Sequence, residues 1–150
     1  MLQVGDTVPE FSLPNQDGTM ISPAEFKGKK MVIYFYPKDN TPGCTTEACG
    51  FRDVYDEILA KGAVVLGISK DSTASHTKFR DKFTLPFHLL SDVETTTIQA
   101  FGAWGEKKMC GKTYMGIIRS TFVVDENGVI TQVYPKVNTK THAAEILAAL

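Results

Sequence analysis

In Pro37-Lys-Asp-Asn-Thr41-Pro-Gly-Cys44-Thr-Thr-Glu47-Ala-Cys49, one cysteine stands at the expected start of a helix and a second follows five residues later. Thr41 can serve as N-cap and Pro42 as first helical residue, which puts Cys44 in the first turn. There the unpaired backbone N–H groups and the positive end of the helix dipole favour an anion. A thiolate is that anion, and it is the nucleophilic form of cysteine. Cys44 is therefore expected to be reactive. Cys49 stands differently. Five residues along a helix correspond to a rise of about 7.5 Å and a rotation of about 140°, separating the two Cα atoms by roughly 8.6 Å. A disulfide tolerates about 7 Å. On an intact helix the two cysteines cannot bond, so a Cys44–Cys49 disulfide requires the first turns to unwind. A nucleophile that attacks in the helical form and is resolved after local unfolding would follow from this spacing.

Other readings of the same residues stand beside this one. Cys49 lies near the edge of the apolar face formed by Ala48, Phe51 and Tyr55, so packing alone also accounts for it. Structural zinc uses cysteine pairs two to four residues apart with a second pair elsewhere. No second pair exists, and Cys110, His76, His88 and His142 are scattered singly. Glu47 is three residues from Cys44 on the same helical face, where a carboxylate disfavours a thiolate unless a cation sits between them. A guanidinium would serve best. Arg52 is about 12 Å further along the axis, and Lys38 is a single mobile charge. Arg119, by its residue context alone, reads as a strand-end arginine facing solvent.

Proline, three residues, threonine, two residues and cysteine fall on Pro37, Thr41 and Cys44, and a helical second cysteine falls on Cys49. With Gly5-Asp-Thr-Val-Pro-Glu-Phe11 and Gly116-Ile-Ile-Arg119-Ser-Thr-Phe-Val-Val-Asp125, this pattern resembles the peroxiredoxins, and within them the bacterioferritin comigratory protein (BCP/PrxQ) subfamily. The resemblance implies a thioredoxin-like fold and a peroxidase that reduces hydrogen peroxide and organic hydroperoxides. It implies that Cys44 is the peroxidatic cysteine and Cys49 the resolving one, closing an intramolecular disulfide. Thr41 would hydrogen-bond the thiolate and bound peroxide, and Pro37 would shield the pocket from water. Arg119, on a predicted strand, would hold thiolate and peroxide oxygen, and Glu47 would orient it. Thioredoxin or a similar dithiol protein would supply electrons, with no metal, haem or flavin cofactor, and the chain would be a monomer. Cys110 is the departure: it stands where relatives often carry a larger side chain, and it reads as bystander, competing resolver or intermolecular contact.

These residues need elements to hold them. Met31 to Tyr36 and Ala63 to Ser69 are unbroken apolar runs of the kind buried on both faces of a parallel sheet. Between them Ala48, Phe51, Tyr55, Ile58 and Leu59 recur at helical spacing, ended by Lys61-Gly62. A strand, helix, strand unit results. A short hairpin is expected at the N-terminus with its turn at Asn15 to Gly18. A helix is expected over Ser72 to Phe83, a strand over Phe87 to Leu90 and another helix over Val93 to Phe101. Ser120–Val124 and Val129–Tyr134 should pair through the turn Asp125-Glu-Asn-Gly128, and an amphipathic helix should close the chain over Thr141 to Leu150. The expected fold class is α/β, a central mixed sheet flanked by helices.

The chain has 150 residues, 43% of them hydrophobic, enough for one domain with a full core and too few for two ordinary ones. Lys and Arg number 16 against 17 Asp and Glu, with no basic stripe to follow phosphates, so nucleic acid is not expected as a partner. No apolar stretch is long enough to span a bilayer, and no leader is evident at the N-terminus, so a cytoplasmic protein is expected. Three cysteines, an odd number, do not suit a secreted disulfide scaffold. Beside the peroxidase stand two other functions: a redox-sensing or interaction module using the same disulfide switch without significant turnover, and a thiol metallochaperone. A disulfide reductase is disfavoured because the cysteines lack the two-residue spacing.

Overall fold

The computed structural model describes residues 1–150. Its centre is a five-stranded sheet in the order β5-β4-β3-β8-β9. Those strands are β3 (Lys30–Phe35), β4 (Ala63–Ser69), β5 (His88–Ser91), β8 (Ser120–Val124) and β9 (Ile130–Tyr134). β3 pairs in parallel with β4, Val32 opposite Val65, and antiparallel with β8, Val32 opposite Val123. The sheet is therefore mixed, as expected. Two apolar layers cover it, because successive β3 side chains point to opposite faces. Val32, Tyr34 and Tyr36 join Phe51, Ile58, Phe79 and Ile146 on one side. Met31, Ile33 and Phe35 join Ile98, Phe101 and Phe122 on the other.

Helices α1 (Pro42–Asp53), α2 (Tyr55–Ala60), α3 (Thr73–Phe83) and α5 (His142–Ala149) contribute to the first layer, and α4 (Thr96–Ala100) to the second. The N-terminal hairpin is present, β1 (Leu13–Pro14) with β2 (Met20–Ile21). Asn15 Oδ1 closes its turn by accepting from the Asp17 and Thr19 N–H groups. Ser72 caps α3 by accepting from Ser75 N–H.

Four features depart from expectation. The single helix expected after Cys44 breaks at Val54 (φ −116°, ψ 10°), a β-branched residue and weak helix former. Beyond the break Tyr55 and Ile58 are buried, whereas Leu59 is 46% exposed. The helix expected from Val93 starts only at Thr96, after Thr95 enters the left-handed region. A hairpin of β6 (Trp104–Met109) and β7 (Lys112–Ile117) was not foreseen. Its two-residue turn, Cys110-Gly111, has φ +52° and +77°, positive at both residues as tight hairpins require; the usual asparagine before the glycine is absent. Finally, Arg119 is not on a strand, but in the two-residue link between β7 and β8. No helix is long and apolar enough to cross a membrane.

Candidate active site

The chain leaves β3 at Phe35 and reaches α1 through a loop ending in Thr41. Thr41 is the N-cap residue, with extended backbone (φ −96°, ψ 156°), and Pro42 opens the helix. The Thr41 hydroxyl does not cap it, donating instead to the Lys38 carbonyl at 2.8 Å. Cys44 lies in the first turn and is 1% exposed. Pro37 is half-buried at the start of the same loop.

Arg119 comes from the other side of the sheet's centre and turns inward. Its Nη2 donates to Cys44 Sγ at 3.3 Å and its Nη1 donates to Glu47 Oε1 at 2.8 Å. One guanidinium thus bridges the thiol and the carboxylate that share a helical face, and the solvent-facing reading of Arg119 falls. Gly43 leaves room for this approach, since a Cβ there would sit 3.3 Å from Arg119 Nη2, a tight contact. Burial pushes the Glu47 carboxyl up to about 7, outweighing the lowering by the charge and hydrogen bond of Arg119. Burial opposes the Arg119 charge, but Cys44 and Glu47 beside it push its pKa up on balance. Glu47 Oε2 is buried with no hydrogen-bond partner.

Cys49 lies half-buried on intact α1, and Cys110 is exposed at the tip of the β6–β7 hairpin; all three thiols are free. Further groups surround the site that sequence reasoning did not single out. Lys107 donates to the Ile117 carbonyl at 2.9 Å, and its pKa is lowered by burial and by the neighbouring Arg119. The buried Tyr34 hydroxyl has no partner, and its pKa is raised by burial, then by Glu47 and Cys44. His142 packs edge-on against Phe51, with ring centroids 5.9 Å apart. Only Gly43 left a local signal, as the residue between proline and cysteine.

One group of three potential metal-ligating side chains exists, Asp39, Asp71 and His76. It contains no cysteine, and its members are engaged in hydrogen bonds with one another and their neighbours. The largest surface cavity, about 610 Å³ between Phe11, Ser72 and Asp92, includes none of the residues around Cys44.

A mixed sheet that presents a buried thiol at a helix start, bridged by arginine to a carboxylate, defines the class: a thioredoxin-like thiol enzyme. Residues 4–133 match the AhpC/TSA family. The chain is 46% identical over 149 residues to peroxiredoxin Bcp of Bacillus subtilis, covering 99% of this chain and 95% of that one. The Xanthomonas campestris bacterioferritin comigratory protein superposes with a TM-score of 0.89 at 40% identity, covering 96% of each chain. A Xylella fastidiosa PrxQ variant gives 0.94 at 33% identity, covering 99% of this chain and 95% of that one. The chain belongs to the AhpC/TSA family, as a peroxiredoxin of the BCP/PrxQ subfamily.

Proposed function

We propose that this peroxiredoxin reduces hydrogen peroxide and organic hydroperoxides through Cys44, with Cys49 as resolving thiol and thioredoxin or a similar dithiol protein as reductant. The observation that carries the reading is the Arg119 bridge, which holds a permanent positive charge against a buried thiol at a helix start. The X. campestris relative is described as an alkyl peroxide reductase, which favours the same substrate class here.

In the first step the Cys44 thiolate attacks the terminal peroxide oxygen, the O–O bond breaks, and the departing alkoxide or hydroxide takes up a proton. Cys44 becomes a sulfenic acid. Arg119 stabilises first the thiolate and then the charge developing on the leaving oxygen. The Thr41 hydroxyl donates its one hydrogen bond to Lys38 O, so its lone pairs remain to accept from the hydroperoxide O–H. Pro37 limits water at the pocket mouth, and Glu47 holds Arg119 in line. In the second step the Cys49 thiol condenses with the sulfenic acid, forming the S–S bond and releasing water. The dithiol reductant then returns both thiols, and the chain acts as a monomer.

The second step needs α1 to unwind, and its composition favours that. The helix reads PGCTTEACGFRD, with two glycines and two β-branched threonines in its length, each a weak helix former. Cys44→Ser tests the reading: peroxide consumption coupled to a thioredoxin system should vanish while the fold stays intact. Turnover near the parent rate in that variant would overturn it.

A further inference from the structure

Asp39 sits in the loop that delivers Thr41 and Cys44, yet its carboxylate turns away from them into the protein, where its side chain is 3% exposed. Oδ1 accepts from the Tyr36 hydroxyl at 2.6 Å. Oδ2 lies 2.7 Å from His76 Nδ1 and accepts from Ser75 Oγ at 2.8 Å. The Asp39 N–H donates to Asp71 Oδ2 at 2.9 Å, and that oxygen also accepts from Ser69 Oγ. His76 is fully buried, and its Nε2 faces the Leu90 carbonyl at 3.0 Å. A carbonyl only accepts, so Nε2 is the donor to Leu90 O.

This knot joins β4, β5, α3 and the loop after β3. Every heteroatom of the Asp39 and His76 side chains has a partner, and such fully satisfied buried networks are rigid and costly to disrupt. None of its hydrogen bonds reaches Cys44, Glu47 or Arg119. Its influence passes through the backbone of Asn40 (φ +59°) and Thr41 to the first turn of α1. The weak helix begins immediately beyond it.

We infer that Asp39 and His76 form a positioning unit for the peroxidatic turn: they clamp the loop from Tyr36 to Thr41, so that Thr41 and Cys44 meet peroxide in one geometry and α1 rewinds onto the same start after each cycle. The inference rests on Cys44 being the attacking thiol. The two residues touch no substrate, and they act through the loop.

Removing one partner leaves the other buried and unpaired, so Asp39→Asn or His76→Leu alone should lose both stability and rate. The double variant Asp39→Ala/His76→Leu separates the two effects, because it strands neither the carboxylate nor the imidazole and leaves only neutral groups, the Tyr36 and Ser75 hydroxyls and the Leu90 carbonyl, to find new partners. Its thermal midpoint should recover toward the parent protein. The second-order rate constant of Cys44 oxidation, followed by stopped-flow fluorescence, should stay down by at least about tenfold, the penalty of a misplaced reacting group. Amide exchange in Lys38 to Thr41 of the reduced protein should rise. A double variant that reacts at the parent rate, or whose Lys38–Thr41 exchange is unchanged, overturns the inference. Should the double variant not fold, Ser75→Ala decides in its place: a slower first step with faster Lys38–Thr41 exchange supports the clamp, and a parent-like rate refutes it. Activity retained in Cys44→Ser would instead unseat the peroxidase reading on which the inference depends.

Discussion

Two buried polar clusters flank the turn from Pro37 to Cys44, and they are built in opposite ways. Around Asp39 and His76 the carboxylate accepts from Tyr36 and Ser75 and pairs with His76, whose second nitrogen reaches a carbonyl. Around Cys44 one arginine serves two acidic groups, Glu47 Oε2 has no partner, and the Glu47 carboxyl is pushed up to about 7. A satisfied cluster has nothing to gain from rearranging. An under-satisfied one leaves a buried polar atom whose cost the rest of the fold must offset. The contrast teaches that rigidity and reactivity are separated here by a few residues of one loop.

The two clusters differ most at the shared arginine. Arg119→Met should slow the reaction of Cys44 with peroxide by a factor on the order of 10² to 10³, the usual cost of losing one preorganised charge donor. A variant that reacts with peroxide at the parent rate would mean that helix-start electrostatics suffice.

A second test compares the clusters across the catalytic cycle. In the oxidised protein, amide exchange over Thr45 to Phe51 should accelerate strongly as α1 opens, whereas Asp39 and the strands β3 and β4 keep their protection. Equal exchange in both redox states would show that no local unfolding occurs. Cys49→Ser should remove the disulfide, so that the sulfinic form of Cys44 accumulates at high peroxide and is visible as a mass gain of two oxygens. A full-strength Cys44–Cys110 disulfide in that variant would move the resolving role to the hairpin tip.

The last effect is on stability and concerns Glu47. Its carboxyl titrates at about 7 in the fold, against an ordinary 4.5, so the folded state binds the proton more tightly than the unfolded state. The resulting stability is complete below about pH 4.5 and is lost as pH rises through 7, by an amount on the order of 3 kcal/mol. Glu47→Gln keeps a group for Arg119 to bond and removes this slope. Urea denaturation should therefore find the parent losing stability relative to the variant between pH 5 and pH 8. A pH-independent difference would mean that Glu47 stays ionised throughout.

Much of this architecture was legible one residue at a time. Met31–Tyr36 and Ala63–Ser69 declared themselves as buried strands by carrying no polar residue where an exposed face would need one. Asn15–Gly18 and Asp125–Gly128 marked two turns through side chains and glycines that act within a few residues. Thr41-Pro42 placed Cys44 at a helix start for the same reason, and the Cys44–Cys49 spacing set the geometric conflict that a disulfide would have to resolve. The β6–β7 hairpin escaped because Cys110-Gly111 is a rare pair for a tight turn, and the break at Val54 because helical spacing continues through it.

Local geometry is thus written along the chain: which segments are strands, where the reactive helix begins, and how far apart its thiols stand while it is intact. Which distant side chains meet is settled in three dimensions. Arg119 lies 75 residues from Cys44 and His76 37 from Asp39; the neighbours of neither residue specify its partner, and only the family resemblance pointed Arg119 at Cys44. Propensities and caps act over a turn of chain, whereas the worth of a charge or a buried carboxylate depends on what surrounds it in space, which exists only once β3, β4, β5 and β8 have paired.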